Sequence, residues 1–164
     1  MTHPPRTILA LDPGLRDLGY AVLRGSRLVA GGVLPLRLLP PARRSRYARE
    51  AVRAWIASHR PVAIVLERTA RHPVGSLHSL HLLARAVSRI AQNRGVTVAT
   101  YPPQTVRKAL TGSGWATKRE TAQVIAARYP ALQLYLTQDK RWKERYWLNY
   151  FDAIALALHH RTAR

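Results

Sequence analysis

A chain of 164 residues that is 47% hydrophobic has the length and apolar content of one domain with its own core. It has no cysteine, which excludes a disulfide framework and any thiolate metal site. Lysine and arginine number 27 against eight acids, a net charge of +19, and 23 of those cations are arginine, the side chain that binds phosphate bidentately and stacks on bases. The charge is spread along the chain rather than gathered in a polybasic tail, so a nucleic acid is the expected partner rather than an anionic membrane. No apolar run approaches the ~18 residues of a membrane span and no signal-like segment opens the chain, so a cytoplasmic protein is expected.

In chain order, Thr7 to Leu11 is an apolar run of buried-strand length. It ends on Asp12, with the turn formers Pro13 and Gly14 next. An acid there is either turn chemistry or half of an active site. Leu18 to Leu23 and Leu28 to Leu34 read as two more strands of a meander, closed by Pro35 and Pro40-Pro41. A helix follows with Tyr47, Ala48, Ala51, Val52, Trp55 and Ile56 on one face and arginines elsewhere, so it should cover the sheet. Pro61 stops it, and Val62 to Leu66 is a continuous apolar run, the mark of a strand buried on both faces, ending on Glu67. Strand, covering helix and buried strand predict a parallel pair whose C-terminal ends share one edge, with Asp12 and Glu67 facing across a crevice.

The loop from Arg68 to Gly75 carries Arg71. Beyond it Leu77, Leu80, Leu83, Ala84, Val87 and Ile90 keep helical spacing, while His78, His81, Arg85 and Arg89 form a second stripe. A histidine pair at this spacing is a metal option, but with no carboxylate or cysteine nearby the stripe reads as solvated or phosphate-facing. Val96 to Tyr101 is a fifth strand, and a short helix from Pro103 to Leu110 bears Arg107 and Lys108. The loop Thr111 to Ala116 presents one aromatic, Trp115. Thr117 and Glu120 have capping-box spacing, which places Lys118 and Arg119 in a first helical turn, where cations oppose the helix dipole; they are either solvated there or favoured by a phosphate. From Asp139 to Phe151 cations alternate with Trp142, Tyr146, Trp147, Tyr150 and Phe151, a pattern divided between a nucleic-acid surface and the core. A last helix, Phe151 to His160, carries Asp152 near its start. Asn149 is then either its N-cap, with Asp152 at N3, or a neighbour of Asp152 facing the same ion.

Of only eight acids, Asp12, Glu67 and Asp152 lie at the ends of the most apolar segments, where they suit a hard divalent cation. The matching chemistry is phosphodiester hydrolysis with two metal ions ~3.5–4 Å apart, inside a surface whose arginines hold the phosphate backbone. The stretches LALDPGLRDLGYAV, VAIVLER, VRKALTGSGWATKRE and FDAIALALHH, in this order, resemble the RuvC family of Holliday-junction resolvases within the ribonuclease H-like nucleases. The resemblance implies an α/β, ribonuclease H-like single domain over residues 1–164, a five-stranded mixed sheet flanked by helices on both faces. It also implies cleavage of four-way DNA junctions by a bacterial or phage-encoded enzyme. Asp12, Glu67 and Asp152 would hold Mg²⁺ or Mn²⁺, two ions per site, with Lys118 near the scissile phosphate and Arg107 at a basic position of the family. A homodimer through the helix after Glu67, using Leu77, Leu80, Leu82 and Leu83, is implied as well, with branch-migration proteins as further partners.

Arg16, Arg71, Arg107, Lys108, Trp115, Lys118 and Arg119 are the candidate DNA contacts. The chain departs from the family twice. Its second acid, three residues before the helix Asp, is Asn149 here, which predicts a preference for Mn²⁺, and its junction-wedging aromatic has no counterpart, Thr69 and Ala70 filling that region. A nuclease for RNA or other branched DNA and a catalytically weakened junction-binding protein share these features. An actin-like ATPase would need two such domains and a second phosphate loop.

Overall fold

Thr7–Pro13 (β1) and Ala63–Glu67 (β4) are apolar and buried on both faces from Ile8 to Leu11 and from Ala63 to Leu66, up to the acids Asp12 and Glu67, which is the pattern of strands at the centre of a covered sheet. In the computed structural model, which describes residues 5–14, 16–68, 75–138 and 141–163, they are neighbours and parallel. Leu18–Arg24 (β2) and Arg27–Leu34 (β3) extend the sheet antiparallel on one side, Thr97–Tyr101 (β5) extends it parallel on the other, and the order is β3-β2-β1-β4-β5. This is the five-stranded mixed sheet expected from the sequence, with the meander and the parallel pair in their expected places. Thr69, Ala70 and Arg71 lie outside the described residues.

The two-residue period of the strands splits the core in two. Leu9, Leu11, Val22, Ile64 and Leu66 face the helices Pro41–His59 (α1) and Ser76–Gln92 (α2), meeting Ala48, Val52, Ile56, Leu83 and Val87. Ile8, Ala10, Ala21, Leu23 and Val65 face Pro103–Thr111 (α3), Lys118–Arg128 (α4) and Arg141–Thr162 (α5), meeting Val106, Ile125, Phe151, Ile154 and Leu158. Arg60, at φ +46°, ends α1 in the left-handed conformation. Tyr47 stays exposed rather than joining the covering face, while Trp55 leaves the centre of the core to stack on Tyr20 with ring centroids 4.0 Å apart. Among the described residues no helix is long and apolar enough to cross a membrane.

The last helix is longer than the sequence suggested. It starts at Arg141, not Phe151, so Asn149 lies two turns inside and cannot be its N-cap. Tyr150 and Phe151 are buried, and Tyr146 and Trp147 are half-buried, with Trp147 against Tyr135 at 4.2 Å between centroids. Trp147, Tyr150 and Phe151 therefore serve the core, while Tyr146 lies under Arg37; interleaved cations hid a helical repeat in which residues 147, 150, 151, 154 and 158 share the inward face.

Two glycines let α5 lie flat on the sheet. A Cβ on Gly19 would collide with the backbone carbonyl of Asn149, and one on Gly31 would enter the Tyr150 ring. Gly19 is also the residue of β2 paired with Asp12. Gly19→Ala must push α5 outward beside Asp12, an overpacking cost of about 1–3 kcal/mol. The expected result is a melting temperature lower by several degrees together with impaired function of any site shared by β1 and α5; an unchanged melting temperature would contradict this packing.

Candidate active site

The site is assembled from three places in the chain. Parallel pairing puts Leu11 opposite Leu66, so Asp12 and Glu67 emerge side by side at the C-terminal ends of the two central strands. The close approach of α5 at Gly19 brings Asp152, one helical turn past Asn149, to the same edge. Finally α4 starts at Lys118, whose ammonium donates a hydrogen bond to Asp152 Oδ2. That start is fixed by the expected capping box: the Thr117 hydroxyl oxygen accepts from the Glu120 amide, and the Glu120 carboxylate accepts from the Thr117 amide at 2.6 Å. Lys118 opposes the helix dipole because carboxylates await it, which answers the question its position raised.

These groups form one electrostatic unit. Burial pushes the Asp12 carboxyl well above the usual carboxylate range, Asp152 and Glu67 push it further, and Lys118 and Arg107 pull it back. Glu67 is raised by burial and then by Asp152, against Lys118 and Arg107. For Lys118 burial acts downward, but attraction to Asp152 and Asp12, the hydrogen bond to Asp152 and attraction to Glu67 together hold the ammonium above its ordinary value. Acids that repel one another beside Lys118 and Arg107 favour positive charge, and three carboxylates are hard-oxygen donors of the kind a divalent ion takes. Among the described residues no three acid or histidine side chains already stand in a geometry that could hold one ion. Asp152 is instead engaged through Oδ2 by Lys118. The Asn149 amide makes no hydrogen bond among the described residues.

The other candidate residues divide by location. Arg107 shares a narrow crevice with Glu67, Thr121 and Asp152, so it joins the site. Lys108 and Trp115 line a separate groove of about 420 Å³ against the start of α3, and Arg119 is exposed beside Lys118. Arg16 is not brought to the acids; it is exposed, and the acid that feels its charge is Asp17. The stripe on α2 gains a location, since His81, Arg85 and Arg89 line a groove of about 380 Å³ with Arg68 that begins at Glu67. A phosphate-facing role fits that placement.

Asp17 was counted among the acids but not singled out, although it shapes the site. It is buried, and its Oδ2 accepts a hydrogen bond from Arg37 at 2.9 Å while its carbonyl accepts from the Gly14 amide. The Arg37 guanidinium lies 4.7 Å over the Tyr146 ring of α5, and Tyr146 donates to the Val33 carbonyl. The turn after Asp12 is thereby tied to β3 and to the start of α5. The visible signal was a second acid five residues after Asp12 in a chain so poor in acids.

Comparison with known proteins bears on this arrangement. The family model described as "Crossover junction endodeoxyribonuclease RuvC" matches residues 8–160. A curated protein of that name from Maricaulis maris is 32% identical over 167 residues, covering 95% of this chain and 92% of its own. One from Saccharopolyspora erythraea is 33% identical, with 72% of this chain and 63% of the relative covered. A solved structure of Thermus thermophilus RuvC in complex with Holliday junction substrate superposes with a TM-score of 0.74 at 28% identity, covering 99% of this chain and 96% of that one.

The raised carboxyls have a measurable consequence. An acid whose folded-state value is raised contributes stability fully below its ordinary range near 4 and loses it as pH rises through the raised value. Without metal, Asp12 therefore weakens the fold at neutral pH. Asp12→Asn, measured with chelator present, is expected to melt above the parent at pH 7, by about 2–4 °C for each kcal/mol of strain relieved, with the difference closing toward pH 4. Millimolar divalent metal should raise the parent's melting temperature more than the variant's. A parent that melts at or above the variant at pH 7 would rule out this account.

Proposed function

Since the chain belongs to the RuvC family of crossover junction endodeoxyribonucleases, and is a nuclease that resolves Holliday junctions, we propose that Asp12, Glu67, Asp152 and Asn149 hold two divalent ions and that Lys118 and Arg107 bind the phosphate being cut. The observation that carries this reading is the meeting of Asp12, Glu67, Asp152 and Lys118 in one electrostatic unit at the ends of the two central parallel strands. Divalent metal bound there supplies the Lewis acidity that phosphodiester hydrolysis requires.

The residues of this chain supply the rest. The half-buried wall of β1, β4 and α5 limits water around the carboxylates, so each charge acts at closer to full strength. Lys118, which donates to Asp152 here, would bind the phosphate of the strand, and a divalent ion held by the acids would supply the positive charge that Lys118 gives Asp152 in its absence. Arg107 stabilises charge on the same phosphate from the α3 side. Farther out, Lys108 and Trp115 line one groove, with Arg119 exposed beside Lys118, and Arg68, His81, Arg85 and Arg89 line another, two approaches that suit the arms of a branched DNA. Arg71 is retained as a DNA contact on its sequence position alone. The bacterial relatives support work in a bacterial cytoplasm, where branch-migration proteins are the natural partners.

Asn149 makes the donor set poorer by one charge than a set of four acids. Mg²⁺ depends strongly on anionic oxygen and near-ideal octahedral geometry, so Mn²⁺ is the better fit. With a labelled four-way junction, Asp12→Asn, Glu67→Gln and Asp152→Asn are each expected to lose cleavage while binding stays intact or tightens; retained cleavage in any of them removes that residue from the site. In the same assay Asn149→Asp should bring the Mg²⁺ rate closer to the Mn²⁺ rate, and an unchanged ratio would refute a ligand role for Asn149.

A junction carries two symmetric scissile strands, and a two-fold dimer presents two sites to it. On α2, Leu83 is committed to the core, whereas Leu82 is 49% exposed and Leu80 half-buried, leaving apolar surface for a second copy. Light scattering should report about twice 18.5 kDa; a clean monomer at micromolar concentration would exclude this assembly.

A further inference from the structure

Trp115 is 88% exposed, more than any other large hydrophobic residue among those described. An indole has much to gain from burial, so a solvated one calls for an explanation. Slack chain does not provide it. The Thr111 hydroxyl accepts from the Ser113 amide at 3.1 Å and lies against the carbonyls of Arg107 and Ser113, and the Ser113 hydroxyl accepts from the Trp115 amide at 3.2 Å. Gly114 is seated against the Gln104 backbone, Ala116 is buried, and Thr117 is locked in its capping box. The ring is therefore held outward by an ordered loop, anchored on both sides.

Two features of its surroundings say what it awaits. The groove of about 420 Å³ beside it offers Lys108, Gln104 and Thr105, a cation with amide and hydroxyl groups. Three residues farther on, Lys118 touches Asp152. Three residues span at most about 11 Å, or roughly one to three nucleotides at a 3.4 Å rise. Within a duplex both faces of a base are covered by its neighbours, so an indole can stack only where that stack is broken. We propose that Trp115 is the platform for an unstacked base of the strand being cut, within three nucleotides of the scissile phosphate, with Lys108 holding the adjoining backbone. Cleavage is then coupled to local opening of the strand. The proposal rests on the nuclease reading above and adds a base subsite to it.

The test uses four-way junctions carrying 2-aminopurine, or an abasic site, at each of the three positions on either side of the scissile phosphate, with the parent protein, Trp115→Ala and Trp115→Phe. Stacking on the indole should quench 2-aminopurine at one position on binding without metal, and Trp115→Ala should abolish the quench. Removing that base should slow single-turnover cleavage by the parent about 5- to 150-fold. Trp115→Ala should cost a similar factor on the intact junction, the two changes together should cost little more than either alone, and Trp115→Phe should keep part of the effect. Absence of quenching at every position, or losses that simply multiply, would overturn the platform. So would a change of mass in light scattering for Trp115→Ala, which would make a second copy of the chain the occupant. If the parent fails to cut any junction with either metal, the nuclease reading falls instead, and the quench, which needs no cleavage, still decides the platform.

Discussion

The backbone of α5 can reach the sheet at Asn149 only because Gly19 has no side chain there. The site depends on that contact. Gly19 is the β2 partner of Asp12, so the closest approach of helix and sheet falls beside the first carboxylate, and the helical repeat then delivers Asp152 one turn later. Small buried residues follow on the same side of the helix at Ala153 and Ala157. A bulkier surface on either element would keep the third acid away from the other two.

Against a net charge of +19, one buried and two half-buried acids, Asp12 with Glu67 and Asp152, are an electrostatic minority. Burial first, and then repulsion from Asp152, raises the Asp12 and Glu67 carboxyls, which costs stability without a counter-charge. Lys118 offsets part of it from the first turn of α4. The same strain is what gives such a site its attraction for divalent cations, and the basic surroundings let an anionic substrate approach a pocket that would otherwise repel it.

The support around the acids is less visible than the acids themselves. Asp17 and Arg37 hold the turn after Asp12, Arg37 reaches Tyr146 on α5, and Tyr146 reaches back to β3, closing a ring of contacts around the mouth of the site. The Thr117–Glu120 box does the same for Lys118. In each case a charged side chain at the site is held by a neighbour farther out, which fixes its direction.

Much of this was legible in the chain alone. Continuous apolar runs ending in Asp12 and Glu67 can be little else than central parallel strands, because only burial on both faces tolerates them, and parallel strands must present those acids on one edge. The capping box, the five strands and the third acid in an apolar helix were equally local, and local signals survive in sequence. Tertiary packing decided the rest. The start of the last helix was hidden because cations interrupt its apolar face, and only contact with β1 and β2 shows which residues turn inward; that settled Asn149 as a residue inside the helix rather than its cap, and the rings at 147, 150 and 151 as core. The partners of Lys118 and Asp17 lie 34 and 20 residues away. Such pairings carry no periodicity to read, since they arise only when separate elements are brought together by the sheet.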